Sequence, residues 1–438
     1  MVDVAAVSIL AFTVGLSLKR PRVGQFTIDH AGAAALGALL CVATGLVSKK
    51  RLIWSLSFLA EPVITLISLM VITLVAEEAG VFRWLARRVA RGARGDARRL
   101  FARVFALGAV TGSIFTNDAA VLIFTPLVFE LIEEVQEEGW TLRHKLPFYF
   151  AVLYVGNVAG ALVISNPINL VVAKIFGISF AEYAAWMLLP AVVSILASYA
   201  GVRFFFRRSL PARYRIVDAP APAGGRRALI VSGAVLAATL AGFFTVDLTG
   251  IPPAAVAGAA ALLLLLMHGR LNPGSSYGRI ARGVGWDVIV FVVGIFIVTR
   301  AVQSSGVVRA FGEAMADLSA RSLPAAMHAT GFSAAFLSAV MNNHPTADML
   351  GLTLADCSLP RLPERMLALS ALIGADLGPK MLPIGSLAAL MWFRILRQRG
   401  VAVSYGLYVR IGVPVTLGAL LLALLTLWGE LLLFQAAG

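Results

Sequence analysis

Residues 111–126 read TGSIFTNDAAVLIFTP and residues 336–350 read FLSAVMNNHPTADML. Each sets a short polar tip in apolar sequence, Thr116-Asn117-Asp118 in the first and Asn342-Asn343-His344-Pro345-Thr346 in the second. Downstream of each tip comes a hydrophobic segment interrupted by Gly, Pro and Asn: GNVAGALVISNPIN from Gly156 to Asn169, and GADLGPKMLPIGSL from Gly374 to Leu387. A pair of interrupted hydrophobic segments at corresponding places in two halves of a chain points to a transporter's binding site near the membrane midplane. The remainder reads as the scaffold that holds these four breaks together.

Composition supports a membrane setting. Of 438 residues, 59% are hydrophobic and 14% charged, and the mean hydropathy is +0.86. A soluble domain carries about 25% charged residues, so this chain lacks the polar surface to face water all round. Its apolar runs of roughly 20 residues are long enough to span a bilayer as helices, which implies an all-α polytopic membrane protein. The net charge of +14 sits mostly in the connections between runs, where membrane orientation demands it, and implies no nucleic-acid partner. Cys41 and Cys357 are far apart and outside any motif, so neither a disulfide framework nor a metal site is indicated. No Lys or Arg precedes Val4–Leu18 and no small-residue cleavage site follows it, so this stretch reads as a retained first span.

Taken in order, the spans fall at about 4–18, 27–47, 53–75, 146–176 (broken) and 183–205, then at 228–244, 251–267, 286–302, 366–396 (broken) and 405–433. Residues 82–103 and 307–323 read as amphipathic surface helices, and each precedes a polar-tipped segment. Five spans per half is an odd number, so the halves are expected to form two inverted repeats, each with a re-entrant hairpin and a broken helix. The first repeat covers 1–206, a basic cytoplasmic linker 207–227 and the second repeat 228–438. This arrangement gathers most loop Lys and Arg on one side, at Lys19–Arg22, Arg83–Arg103, Arg143, Lys145, Arg203–Arg227, Arg270–Arg282 and Arg394–Arg399. The other side has Lys49–Arg51, Arg309, Arg321, Arg361 and Arg365. By the positive-inside rule the first set is cytoplasmic in a plasma (inner) membrane, which places both termini outside the cytoplasm.

Non-helical backbone at membrane depth is tolerated only where protein buries it or it lines a cavity. Breaking a helix frees N–H groups at one end and C=O groups at the other. With the donor and acceptor side chains of Asn beside them, such ends can replace a polar solute's water shell. Asn also serves as hydrogen-bonding glue between spans. The coincidence of Asn117, Asn166, Asn169, Asn342 and Asn343 with the breaks favours a site. Ionisable residues within spans are costly and usually functional. Asp118, His344, Asp376 and Lys380 are therefore the proton-coupling candidates, with Asp118 first because a desolvated carboxylate can exchange a proton near neutral pH and His344 as the alternative. Asp376 and Lys380 are four apart and would form an internal ion pair if that turn is helical. Asp348 reads as a residue of the outer vestibule. No P-loop, Ser/His/Asp set or metal-ligand spacing is visible, so the chain reads as no enzyme, without cofactor, driven by an ion gradient or by a separate ATPase.

The strings FTNDAAVLIFTPLV, VISNPINLVVAKIFGISFAEYA, MNNHPT and GADLGPKMLPIGSLAALMWFRIL strongly resemble the arsenite efflux permeases, the ArsB family of the ion transporter superfamily. The likeness runs from about Leu52 to the C-terminus. It implies an exporter of arsenite and antimonite in exchange for protons, able in some systems to pair with a cytoplasmic ATPase subunit, and often a homodimer. By the resemblance the hairpin tips are Thr116–Asp118 and Asn342–Thr346, facing breaks at Ser165–Asn169 and Gly378–Ser386. Substrate binding is thereby expected from Thr116, Asn117, Asp118, Ser165, Asn166, Asn169, Asn342, Asn343, Thr346, Gly378, Gly385 and Ser386. The chain departs from the motif at His344, at Ala347-Asp348 and at Lys174. Arsenite near neutral pH is mostly the uncharged trihydroxide, which amides, hydroxyls and helix ends can hold reversibly where thiolates would hold it too tightly. The rival readings on the same fold are a sodium-coupled anion carrier of the dicarboxylate type and a sodium/proton antiporter.

Overall fold

The computed structural model describes residues 2–23, 26–156, 160–215, 225–271, 276–303 and 305–437. The first half contains α1 (Val2–Lys19), α2 (His30–Ala43), α3 (Lys49–Glu78), α4 (Val81–Gly92), α5 (Ala97–Ile114), α6 (Asn117–Val135), α7 (Leu142–Gly156), α8 (Pro167–Ile175) and α9 (Phe180–Phe205). The second contains α10 (Gly225–Phe244), α11 (Val246–Thr249), α12 (Pro253–Leu271), α13 (Tyr277–Gly283), α14 (Trp286–Val302), α15 (Gly306–Arg321), α16 (Leu323–Met341), α17 (Asn343–Ala355), α18 (Arg361–Leu377), α19 (Leu387–Gln398) and α20 (Tyr405–Ala437). Seven described helices are long and apolar enough to cross a membrane, so the chain is a multi-pass membrane protein, helical but for one short strand pair. Exposed leucines on the outer helices, such as Leu196 on α9 and Leu433 on α20, suit contact with lipid.

Two expected elements differ. The span expected at 27–47 is helical only over His30–Ala43. A two-residue strand pair, Arg22–Val23 with Phe26–Thr27, and the Asp29 carboxylate accepting from Gly32 N–H set its start. Fourteen residues rise about 21 Å, short of the roughly 30 Å hydrocarbon core. The amphipathic helix expected over 82–103 is two helices, because Arg94 and Gly95 adopt positive φ and Asp96 caps a new start by accepting from the N–H groups of Arg98 (2.8 Å) and Arg99 (3.0 Å). The expected linker is partly docked: Tyr214 is buried, its hydroxyl donates to the carbonyl of Ala90, and its N–H donates to Gly95 O at 3.0 Å. Residues 216–224 of that linker lie outside the described residues.

Matching packing recurs in both halves. α3 lies on α12 while α14 lies on α2, and the long α9 and α20 run against one another. Helices α5 and α6 pack together and meet at Phe115-Thr116, and α16 and α17 do the same at Asn342. Helix α6 packs on α19 and α17 on α8, so each helix that follows a tip touches the helix that follows the other half's break. One tight seam holds the second break in place. A Cβ on Gly378 would come within 2.2 Å of Ala335 O, and one on Gly385 within 2.5 Å of Ala339 O. Backbone on backbone at this range admits only glycine, the small-residue packing expected between membrane helices.

Candidate transport site

The first break starts where α7 ends. Val163–Ser165 form one 3-10 turn, and Asn166 then takes an extended conformation as the cap of α8, its Oδ1 accepting from Ile168 N–H at 3.4 Å. Pro167 suits the first helical position, where no N–H is needed. The second break runs from α18 through 3-10 turns at Gly378–Lys380 and Pro383–Gly385, and Ser386 caps α19 by accepting from Ala389 N–H at 3.1 Å.

The two breaks meet at Asp376. This carboxylate is fully buried and accepts from Gly160 N–H (3.0 Å), Asn166 Nδ2 (2.5 Å) and Asn169 Nδ2 (3.2 Å), all in the first half. Asn169 Nδ2 also lies 3.5 Å from Ser165 Oγ. A Cβ on Gly160 would lie 2.2 Å from Asn169 Nδ2, so only glycine lets the backbone reach this cluster. Asn169 Oδ1 is buried with no hydrogen-bond partner among the described residues. It is an acceptor facing an unfilled need, which a solute hydroxyl could meet.

Lys380 does not pair with Asp376 as the four-residue spacing suggests. Its buried Nζ donates to Tyr154 O at 3.0 Å. Pro379 and the 3-10 turn are the reason, since three residues per turn put positions four apart about 120° around the axis. Both charged groups of the second break therefore reach into the first half instead of toward each other.

At the second tip, Asn342 holds φ +83°, a left-handed conformation rare outside glycine. Its Oδ1 accepts from His344 N–H at 3.3 Å, and Thr346 Oγ1 donates to its carbonyl at 2.9 Å. At the first tip, Thr116 is buried at the start of α6. The side chains of Asn117 and Asp118 lie outside the described residues, so Asp118 has no structural account. A cavity of about 520 Å³ reaches Thr116 and is bordered by His30, Glu77, Asp287, Arg20 and Arg394. Arg20 and Arg394 belong to the basic set that the loop charges lead one to expect on the cytoplasmic side.

Sequence reasoning missed part of this region. His30 and His344 flank Phe291 edge-on, with ring centroids 5.3 and 5.2 Å from it, and His30 Nε2 lies 3.4 Å from Asp287 Oδ2. Asp348, four residues after His344, is buried with neither oxygen partnered among the described residues. His30 and Asp287 are ionisable groups at the ends of apolar runs, a signal that was available. Lys174, by contrast, pairs with Glu61 of α3 at 2.7 Å.

With this geometry in place, comparison with known proteins decides the family. The sequence profile described as "Arsenical pump membrane protein" (ArsB) matches residues 5–431. The chain belongs to the ArsB family. It is 32% identical to an Escherichia coli arsenical pump membrane protein over 426 residues, covering 96% of this chain and 97% of that protein. It is 33% identical to the Yersinia enterocolitica arsenical pump membrane protein over the same coverage. The YdaH transporter of Alcanivorax borkumensis superimposes with a TM-score of 0.59 at 16% identity, covering 97% of this chain and 96% of that one. That likeness is one of fold. ArsB membership accords with the resemblance of the motif strings, and the four breaks quoted from the sequence all fall within the matched span.

Proposed function

We propose that this ArsB-family chain exports arsenite and antimonite across the inner membrane in exchange for protons, from a site between its two broken helices. The observation that carries the reading is Asp376, which gathers the N–H of Gly160 and both Asn amides of the opposite break while Asn169 Oδ1 is left without a partner among the described residues. Ionised, the carboxylate accepts both amides and fixes which way Asn169 faces, so that Oδ1 can accept a hydroxyl of the neutral trihydroxide. A proton on Asp376 removes acceptor capacity and turns one oxygen into a donor, which releases an amide and dissolves that orientation. Proton and arsenite then favour opposite arrangements of the same two asparagines, which is what exchange requires. Lys380, bonded to Tyr154 O, ties the second break to the end of α7 and keeps the halves in register.

Thr116, Asn342, Asn343, Thr346 and Ser386 complete the site in this reading, as tips and caps facing the breaks, with Asp118 and His344 as alternative proton carriers. The inverted repeats, re-entrant hairpins and external termini belong to the same proposal. It is supported by the recurrence of α3–α12 and α14–α2 packing and by the distribution of basic loops. Homodimerisation and an ATPase subunit are compatible additions that the mechanism does not require.

The test is arsenite uptake into everted vesicles with an imposed proton gradient. Accumulation that a proton ionophore collapses is expected. Uptake that follows a sodium gradient, or none in vesicles holding folded protein, would shift the reading to the sodium-coupled carrier or the sodium/proton antiporter.

A further inference from the structure

We propose that the groove between α4 and α5 is a binding site for an anionic glycerophospholipid, with the phosphate at its arginine end and an acyl chain along its apolar length. The groove encloses about 890 Å³. Trp84, Leu85 and Val89 of α4 form one wall, and Ala106, Leu107 and Val110 of α5 the other.

The groove carries its arginines on α4 and at the start of its α5 wall, with aliphatic side chains beyond them on α5. On α5, Arg103, Leu107 and Val110 recur at a spacing that keeps them on one face, descending about 10 Å from charge to hydrocarbon. Val110 is 58% exposed, which suits lipid contact and not water. At the head of the groove, the Arg103 guanidinium lies over Gly92, where a Cβ would come within 2.0 Å of its nitrogen. The Arg88 guanidinium stands 5.1 Å from the centroid of the Trp84 ring. Guanidinium, indole and aliphatic side chains in one groove are the groups that meet the head group, interface and chain of a bilayer leaflet.

Charge pairing distinguishes these arginines from their neighbours. Arg87 is bonded to Glu134 at 2.8 Å and Arg99 lies 3.4 Å from Asp96. Among the described residues neither Arg88 nor Arg103 has a carboxylate within ion-pair distance, so both are left for an external anion. Guanidinium groups match phosphate oxygens in geometry and in charge. A zwitterionic head group would bring its own cation against the same arginines, so the site should prefer a net anionic lipid. The apolar walls argue against a small free anion as the natural occupant, because they offer it nothing.

The experiment uses the full chain purified in detergent and read by native mass spectrometry, with phosphatidylglycerol, phosphatidylcholine of the same chains, and glycerol phosphate as probes. Phosphatidylglycerol should be retained severalfold better than phosphatidylcholine. The Arg88→Gln/Arg103→Gln pair should erase that preference. Val110→Trp, which keeps both charges and obstructs the chain slot, should reduce retention of both lipids. A circular dichroism spectrum matching the parent protein qualifies each variant, and either one suffices if the other fails to fold. Equal retention of the two lipids by the parent protein would overturn the proposal. So would unchanged preference in the Arg pair, or glycerol phosphate displacing the lipid at equal concentration. A second copy of the chain bound through this face, seen as a dimer lost in Val110→Trp with no lipid retained, would also overturn it.

Discussion

Replacing Asp376 with Asn isolates the proposed coupling step, since shape and volume are kept and only the charge and one acceptor are lost. Three N–H groups now converge on two carboxylate oxygens, Gly160 and Asn169 on Oδ2 and Asn166 on Oδ1. The best orientation of the new amide keeps its oxygen on the Oδ2 side and leaves its NH2 facing Asn166 Nδ2, donor against donor. A buried donor without an acceptor costs about 1–3 kcal/mol, and two bonds fall from the charged to the neutral class at about 1 kcal/mol each. Asn166 could turn its amide over, but that gives up the cap on Ile168 N–H. The net loss is about 3–5 kcal/mol at the junction of the breaks. If even 1.4 kcal/mol of it falls on the orientation of Asn169, arsenite affinity drops about tenfold. The assay is paired: gradient-driven uptake in everted vesicles, and arsenite/arsenite exchange at equal pH on both sides. Gradient-driven uptake should disappear, while exchange persists with weaker apparent affinity and no longer depends on pH. A variant that accumulates arsenite with the parent's pH profile would refute the role given to Asp376.

The remaining predictions address separate parts of the structure. Asn117→Ala and Asn343→Ala are expected to abolish transport while leaving the protein inserted, as judged by normal yield and elution in detergent; normal uptake by either would count against a site at the tips. Gly378→Ala places a methyl 2.2 Å from Ala335 O, an overpacking of backbone worth about 1–3 kcal/mol or more, and should show as reduced yield and a lowered unfolding temperature. Asp96→Ala removes the cap of α5 at a cost of about 1 kcal/mol, read as faster amide exchange at Arg98 and Arg99. The same cap should weaken in acid. The N–H of Arg99, with that of Arg98, holds the Asp96 carboxyl below the usual carboxylate range. Its contribution is therefore complete above the unfolded-state value of about 3.9 and fades as pH falls through the lower folded-state value; exchange at these amides that ignores pH in that window would remove the cap from the account.

How much was legible follows from the range over which each signal acts. The breaks could be read directly because Gly, Pro and Asn interrupt otherwise continuous apolar runs, and such interruption is local. The split of 82–103 was equally local, written in Gly92, Gly95 and Asp96, but the strong amphipathic pattern masked the cap. The seam of Gly378 and Gly385 had its counterpart in Gly331, Ala335 and Ala339 of α16, small residues at intervals of four that mark a close helix contact. The partner of Asp376 was of another kind. Asn166 and Asn169 stand 210 and 207 residues away, and no periodicity within either segment can pair them. Spacing alone offered Lys380, a choice that holds only on an α-helix and fails on the 3-10 turn that Pro379 imposes. The asparagines read as either glue or site from the sequence act as glue in this structure, and one of them keeps an acceptor in reserve. Their amide nitrogens join the halves through Asp376, while the oxygen of Asn169 stays buried and unsatisfied among the described residues. A junction that served only as glue would have no reason to leave that acceptor open, since a buried acceptor without a donor costs stability. That open acceptor, more than the number of asparagines, is the physical argument for a solute between the breaks.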